Sequence, residues 1–213
     1  MKKPRVLLAD GHKIVLEGLK NLLESEFELV GSAEDGRALV DQAATLHPDV
    51  IVAEISMPLL NGIGAARQIR NTDKSIKIVF LTMHRDATYV ANAFKAGASG
   101  FVLKYAAPSE LITAIHEAME GRTYVTPLIE GGLIFTSQGG SPPEKDLSMK
   151  ISPRQEEILQ LLTEGKSAKE IASILNISIR TVEFHKYKMM GQLNIKTGAE
   201  LVQYAVRHGV ISV

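Results

Sequence analysis

Four short, continuously apolar runs in the first half of the chain constrain its fold most. They lie at residues 6–9, 50–53, 78–81 and 101–103, and a fifth run at 27–30 alternates more with polar residues. Continuous apolarity is typical of strands buried on both faces, as in parallel sheets covered by helices. Between the runs, apolar residues such as Val15, Leu19 and Leu22 recur at helical spacing. The sequence therefore predicts a doubly wound α/β domain with five parallel strands.

The composition changes after residue 123. Residues 124–150 hold four of the 17 glycines and three of the eight prolines, which is typical of an interdomain linker. We therefore predict a first domain at 1–123, a linker at 124–149 and a second domain at 150–213. Residues 128–135 are apolar enough to pack on a domain, so we expect partial order there.

Only helical patterns follow the linker. Ser152 and Pro153 form a typical helix start, and Gly165 ends that helix. Further helices are predicted at about 167–175, 179–193 and 199–208, with a three-residue break at 176–178. Two short helices joined by a tight turn, the second of them basic, form a helix-turn-helix arrangement. The second domain is thus predicted to be an all-α, four-helix unit.

The charge of the chain is uneven, although 24 Lys and Arg balance 24 Asp and Glu overall. Residues 148–213 carry nine basic and six acidic side chains, a net charge of +3. The same net charge arises within residues 177–197 alone, where Glu183 is the single acidic residue. A local basic patch therefore lies where a DNA-reading helix would need it.

Several classes of protein and site are excluded by what the sequence lacks. The chain has no cysteine, which rules out disulfides, thiol nucleophiles and cysteine-based zinc sites. No run approaches 18 apolar residues, and charged residues follow Met1 too soon for a signal peptide. We therefore expect a cytoplasmic protein without a membrane partner.

Polar residues follow four of the predicted strands: Asp10 and Gly11, Glu54, Thr82 and Lys104. Because ligands bind outside the carboxyl ends of parallel strands, these side chains predict a site for an acidic or phosphorylated group. An enzymatic alternative, a phosphatase or flavin site, lacks support, because no second acid/base pair or glycine-rich phosphate loop is present. We expect no catalytic residue.

Five segments together resemble response regulators of the NarL/FixJ type, in which a receiver domain precedes a LuxR-type helix-turn-helix domain. The matching segments are residues 6–19, 48–62, 77–84, 96–104 and 152–209. The resemblance implies a flavodoxin-like receiver with strand order 2-1-3-4-5. It also implies a DNA-binding transcriptional regulator of a two-component system.

In that family, two acidic residues after the first strand and an Asp after the third hold Mg²⁺. The same Asp accepts phosphate from a histidine kinase, a Thr and a Lys contact the phosphoryl group, and an aromatic residue swings inward. The resemblance assigns these positions, and Ser56 beside them, to the following residues: Asp10, Gly11, Glu54, Ser56, Thr82, Phe101 and Lys104. The phosphoacceptor position is thus Glu54, and Gly11 replaces an acidic ligand.

Both departures disfavour phosphorylation. Gly11 supplies no oxygen ligand for Mg²⁺, and the extra methylene of Glu54 moves its carboxylate away from the close approach that in-line attack requires. We expect weak or no Mg²⁺ binding and no other cofactor. We also expect a receiver that keeps one conformation constitutively or is switched by a partner. Whether a histidine kinase acts on it stays open. In the alternative interpretation, Glu54 only pairs with Lys104 and stabilises the fold.

One face of the helix at 179–193 is the candidate DNA-reading surface. Arg180, Glu183, Phe184 and Tyr187 share this face at helical spacing, and Lys188 lies beside them. Phe184 would contact thymine methyl groups and Glu183 would accept from cytosine. Phosphate contacts are expected from the following residues: Lys166, Ser167, Arg180, Thr181, Lys186, Lys188, Lys196 and Thr197.

Compared with the family, this region is poor in basic residues, since Gly191, Gln192 and Gly198 stand where basic residues are usual. We therefore expect weak or dimer-dependent binding to double-stranded DNA. The alternative is a pseudo-receiver that regulates through protein contacts and has little affinity for DNA.

The resemblance also implies a homodimer. One side of the last helix carries Leu201, Tyr204, Ala205 and His208, which we expect at the dimer surface. For Leu201 and Ala205, simple core packing is the alternative.

Overall fold

The computed structural model describes residues 3–127, 129 and 151–211. These residues form two compact units, one on each side of the gap at 130–150. Of the apolar stretch 128–135 that was predicted to be partly ordered, only Ile129 is described, and it is buried; the rest lies outside the described residues. Among the described residues, none of the helices combines the length and the apolarity that a membrane span requires.

The first unit alternates strands and helices. Its strands are β1 (Arg5–Ala9), β2 (Glu28–Ala33), β3 (Val50–Ala53), β4 (Lys77–Thr82), β5 (Gly100–Leu103) and β6 (Tyr124–Val125). Its helices are α1 (Lys13–Leu23), α2 (Gly36–Leu46), α3 (Gly62–Thr72), α4 (Ala87–Lys95) and α5 (Pro108–Met119). The predicted doubly wound α/β fold is confirmed.

All strands of the sheet pair in parallel, in the order β2-β1-β3-β4-β5-β6. The predicted order 2-1-3-4-5 is confirmed, but the prediction of five strands is wrong. Tyr124 and Val125 form a sixth strand beside Gly100 and Phe101. They belong to the first unit rather than to the predicted linker, whose other bounds stay a prediction.

The apolar runs are continuous because each strand faces two cores. On one face of the sheet, Leu7, Ile51, Ile78 and Phe80 pack with residues of α2, α3 and α4. On the other face, Val6, Leu8, Val50 and Val52 pack with residues of α1 and α5. Burial of both faces leaves only the ends of the strands for polar groups, which places a site at the carboxyl edge.

Over its described residues, the second unit consists of α6 (Pro153–Thr163), α7 (Ala168–Leu175), α8 (Ile179–Leu193) and α9 (Gly198–Arg207). Each helix begins at a capping hydroxyl residue, and these are Ser152, Ser167, Ser178 and Thr197. The residues after α7 and α8, Asn176 and Asn194, are left-handed, which ends both helices. The predicted four-helix arrangement is confirmed, with ends within about one residue of the expected positions.

Candidate functional site

The carboxyl edge of the sheet brings together three charged side chains from three different strands. Asp10 follows β1, Glu54 follows β3 and Lys104 follows β5. Lys104 Nζ lies 2.5 Å from Asp10 Oδ2 and 2.8 Å from Glu54 Oε2. Asp10 and Glu54 are only 1% and 5% exposed, so their charges depend on this ammonium group for compensation.

Backbone groups hold both carboxylates in place. Glu54 Oε1 accepts hydrogen bonds from the backbone N–H groups of Ile55 at 2.6 Å and Ser56 at 3.2 Å. Asp10 Oδ1 accepts from the backbone N–H of His12 at 2.9 Å. The Glu54 carboxylate is therefore engaged on both oxygens, one by the start of its own loop and the other by Lys104.

The balance of charges also changes the ionisation of Lys104. Burial disfavours the ammonium form and acts to lower the pKa, but the hydrogen bonds to Asp10 and Glu54 outweigh burial. The pKa of Lys104 is therefore raised above that of an ordinary lysine. The side chain is consequently a permanent cation at neutral pH, at the position where the two carboxylates converge.

Ser56 and Thr82 are joined through His84, a residue that the sequence did not single out. Ser56 Oγ and His84 Nε2 lie 2.7 Å apart, and the His84 backbone N–H points to Thr82 Oγ1 at 3.4 Å. The imidazole stacks on the ring of Tyr89 at a centroid distance of 4.0 Å. Partial burial lowers the pKa of His84, although the charges of Glu54 and Asp86 act in the opposite direction. The sequence signal that could have placed His84 at this edge is its position two residues after Thr82, the last residue of β4.

Gly11 and Phe101 complete the predicted receiver site. A Cβ atom at Gly11 would lie 3.2 Å from Cδ of Pro58, so the position is tight but not closed. Phe101 is fully buried, in the core beside α4. The ring is therefore enclosed by the core and has no exposed surface.

The donor set at this edge has one carboxylate fewer than the Mg²⁺ site that the resemblance implies. Both carboxylates are bonded to Lys104, and Gly11 adds no side-chain oxygen. Over the described ranges, no group of three His, Cys, Asp or Glu side chains is arranged to hold a metal ion. Mg²⁺ in proteins is usually held by one or two carboxylates together with waters, and here both carboxylates contact Lys104.

In the second unit, α8 presents its predicted face to solvent. Phe184 and Tyr187 are 59% and 64% exposed, while Val182 and Met189 are fully buried on the opposite side. Lys188 Nζ lies 5.8 Å from the Phe184 ring centroid, and Lys186 Nζ lies 5.7 Å from that of Tyr187. Arg180 is also exposed, whereas Glu183 is half-buried.

The hydroxyl groups predicted to contact phosphate make helix caps and hydrogen bonds within the second unit. Ser167 caps α7 and donates its proton to Glu170 Oε2 at 2.6 Å. Thr197 caps α9, and Thr181 Oγ1 lies 2.8 Å from Ser178 Oγ at the start of α8. Among the predicted cations, Lys188 and Lys196 are exposed, and Lys166 and Lys186 are half-buried.

The predicted dimer surface on α9 needs correction. Leu201 and Ala205 are buried in the core of the second unit, where they pack with Leu159 and Met189. Tyr204 and His208 are half-buried, and their rings lie 4.2 Å apart. The exposed large apolar residues of α9 are instead Val202 and Val206. Core packing is therefore the correct interpretation for Leu201 and Ala205.

Comparisons with protein families match both parts of the chain. Residues 6–116 match the response regulator receiver domain, and residues 149–205 match the bacterial regulatory proteins of the luxR family. The transcriptional regulatory protein MctR of Rhizobium johnstonii is 35% identical over 99% of this chain and 96% of its own. The response regulator UvrY of Escherichia coli is 34% identical over 96% of this chain and 94% of its own.

Among solved structures, the chain resembles RcsB of Salmonella enterica serovar Typhimurium, solved bound to the promoter P1flhDC. The two are 30% identical with a TM-score of 0.61, over 95% of this chain and 98% of the other. RcsB has also been solved as two dimers bound to two parallel DNAs. This chain is 28% identical to that structure with a TM-score of 0.58, over 95% of this chain and 98% of the other.

Proposed function

Because the chain belongs to the two-component response regulators that carry a LuxR-type DNA-binding domain, we propose that it regulates transcription without ordinary phosphorylation of its receiver. Its receiver would hold one conformation constitutively or change conformation when a partner binds. Double-stranded DNA is the target of the second domain. No enzymatic activity is assigned to either domain.

The bridge from Lys104 to Asp10 and Glu54 carries this proposal. Nucleophilic attack on a phosphodonor needs a carboxylate oxygen that is free to approach phosphorus to about 3–3.5 Å. Both oxygens of Glu54 are already engaged, one by Lys104 and the other by the N–H groups of Ile55 and Ser56. Gly11 supplies no oxygen where the resemblance places a Mg²⁺ ligand, so we infer that Mg²⁺ binding is weak or lost.

The first test is chemical phosphorylation of the full chain. With acetyl phosphate and Mg²⁺, we expect the intact mass to stay unchanged, because neither the nucleophile nor the metal site is in place. A receiver with an unaltered acidic pair and Asp acceptor, treated in the same way, serves as the positive control. A stable gain of one phosphate on Glu54 would contradict the proposal.

For the second domain, we propose a homodimer on DNA. The solved RcsB dimers on DNA support this assembly, as do the exposed side chains of Val202 and Val206, one helical turn apart on α9. These two residues replace Leu201 and Ala205 as the expected contact between subunits. Each subunit would then place α8 in the major groove of one half-site, about one DNA turn from the other.

The salt dependence of DNA binding separates this function from the protein-interaction alternative. If Arg180, Lys186, Lys188 and Lys196 each neutralise one phosphate, log Kobs should fall with log[salt] with a slope of about −3.6 per subunit. Mobility shifts at 50–200 mM salt measure this slope, and Lys188→Ala should reduce it by about 0.9 per subunit. The absence of any shift at low salt would favour the alternative, a regulator that acts through protein contacts.

A further inference from the structure

We propose that α8 reads thymine methyl groups on two neighbouring base pairs through an aromatic pair, Phe184 and Tyr187. This inference rests on the proposed function, since it assumes that α8 enters the major groove. It goes further in assigning sequence selectivity to apolar contacts rather than to hydrogen bonds.

The aromatic pair exposes apolar ring surface to water, which is unfavourable until a partner surface covers it. Phe184 and Tyr187 are 59% and 64% exposed, and they lie on one face of α8, three residues apart. Apolar rings of this size bury far more surface when covered, so their joint exposure marks a contact surface. The opposite face, with Val182 and Met189, already supplies the packing of α8 on its own unit.

The charges around the aromatic pair favour DNA as that partner. Lys188 and Lys186 each hold their ammonium group within 6 Å of one of the two rings, at 5.8 Å and 5.7 Å. Arg180 lies one turn before Phe184 on the same face. An apolar centre between cations is complementary to a groove whose floor carries methyl groups and whose rims carry phosphates.

The spacing of the two rings fits adjacent base pairs. At a rise of about 1.5 Å per residue, residues 184 and 187 are displaced by about 4.5 Å along the helix axis. Successive base pairs are about 3.4 Å apart. Phenylalanine has no hydrogen-bonding group, and the one apolar feature of base edges in the major groove is the C5 methyl group of thymine. Two thymines at neighbouring positions are therefore expected in each half-site.

Uracil substitution tests this reading, because it removes the methyl group and leaves every hydrogen-bonding group of the base pair in place. Binding sites are first selected from random duplex DNA with the full chain. Each thymine of the selected site is then replaced singly by uracil, and affinities are measured at one fixed salt concentration. We expect about fourfold weaker binding at two adjacent positions per half-site, equivalent to about 0.8 kcal/mol per methyl group. Uracil at other positions should change affinity less than twofold.

Protein variants assign each methyl group to one ring. Phe184→Ala should abolish the uracil effect at one position and Tyr187→Ala at its neighbour, while Tyr187→Phe keeps both effects. Both residues are exposed, so folding should survive, and far-ultraviolet circular dichroism checks this. Ile14→Ala in α1 removes a side chain that is 84% exposed in the other unit, and it should leave every uracil effect unchanged.

The outcomes distinguish this inference from the function on which it rests. A selected site that binds tightly but tolerates uracil everywhere would overturn methyl reading and leave DNA-binding regulation intact. Failure to select any DNA would overturn both. If Phe184→Ala altered sedimentation of the protein but not its affinity for DNA, the aromatic pair would be a protein contact, which also overturns methyl reading.

Discussion

Replacing Lys104 by Met should lower the free energy of unfolding of the receiver by about 3–5 kcal/mol. The methionine removes the ammonium group that both buried carboxylates contact and leaves Glu54 without a cation, while Asp10 keeps only the His12 imidazole, at 3.1 Å. Lys104 is only 14% exposed, so solvent compensates little. Urea denaturation of the full chain, read by pulsed hydrogen exchange and mass spectrometry of receiver peptides, measures the loss separately from the second domain.

Two control variants show whether the loss of stability is specific to Lys104. Lys95→Met, at an exposed position on α4, should change stability by no more than about 0.5 kcal/mol. A triple variant, Asp10→Asn, Glu54→Gln and Lys104→Met, carries no charge at the edge and should recover most of the loss. If Lys104→Met alone stayed within about 1 kcal/mol of the natural chain, the edge would not depend on this cation.

The raised pKa of Lys104 adds a pH dependence of known sign. A cation whose pKa is higher in the folded state than in the unfolded state stabilises the fold at pH values below the unfolded pKa. This contribution is lost as the pH rises through the folded pKa, which lies above that of an ordinary lysine. The natural receiver should therefore lose stability in strong alkali by a contribution that Lys104→Met lacks.

Introducing the family's acidic residues at positions 11 and 54 should allow the receiver to be phosphorylated. We expect the double variant Gly11→Asp and Glu54→Asp to react with acetyl phosphate and Mg²⁺ at least about 100-fold faster than the natural chain. The shorter side chain at position 54 withdraws the carboxylate from its present contacts, and the carboxylate introduced at position 11 supplies the missing metal ligand. Intact mass against time gives the rate, and a chelator should abolish the reaction.

Single variants separate the two defects. Gly11→Asp alone tests the metal site, and Glu54→Asp alone tests the position of the nucleophile. Because a Cβ atom at position 11 meets Cδ of Pro58 at 3.2 Å, Gly11→Ala measures the steric cost of any side chain there. Equal rates for the natural chain and the double variant would mean that neither Gly11 nor Glu54 limits phosphorylation.

Much of the receiver could be predicted because parallel sheets link sequence to position directly. The strands are buried on both faces, so their apolar runs are visible, and their carboxyl ends necessarily meet at one edge. Asp10, Glu54 and Lys104 could therefore be placed together from the sequence alone. The strand Tyr124–Val125 could not, since two residues are too few to give a pattern and they border a segment rich in Gly and Pro.

The sequence could not predict contacts for residues whose local pattern fits more than one partner. The spacing of Leu201 and Ala205 is helical whether they face a second subunit or their own core, and the structure buries them against α6 and α8. Likewise, Ser56 and His84 are 28 residues apart, and nothing in either local pattern indicates their 2.7 Å contact. Such pairings follow from tertiary packing alone.

The Lys104 bridge also bears on how the receiver folds. Lys104 and Asp10 are 94 residues apart in the chain, and Lys104 reaches across the sheet from β5 to the ends of β1 and β3. A contact of such sequence separation forms only after these strands are aligned, when most loop-closure entropy has already been lost. Interactions made after the folding transition state slow unfolding and leave the folding rate nearly unchanged. The bridge should therefore set the lifetime of the native receiver rather than the speed with which it is reached.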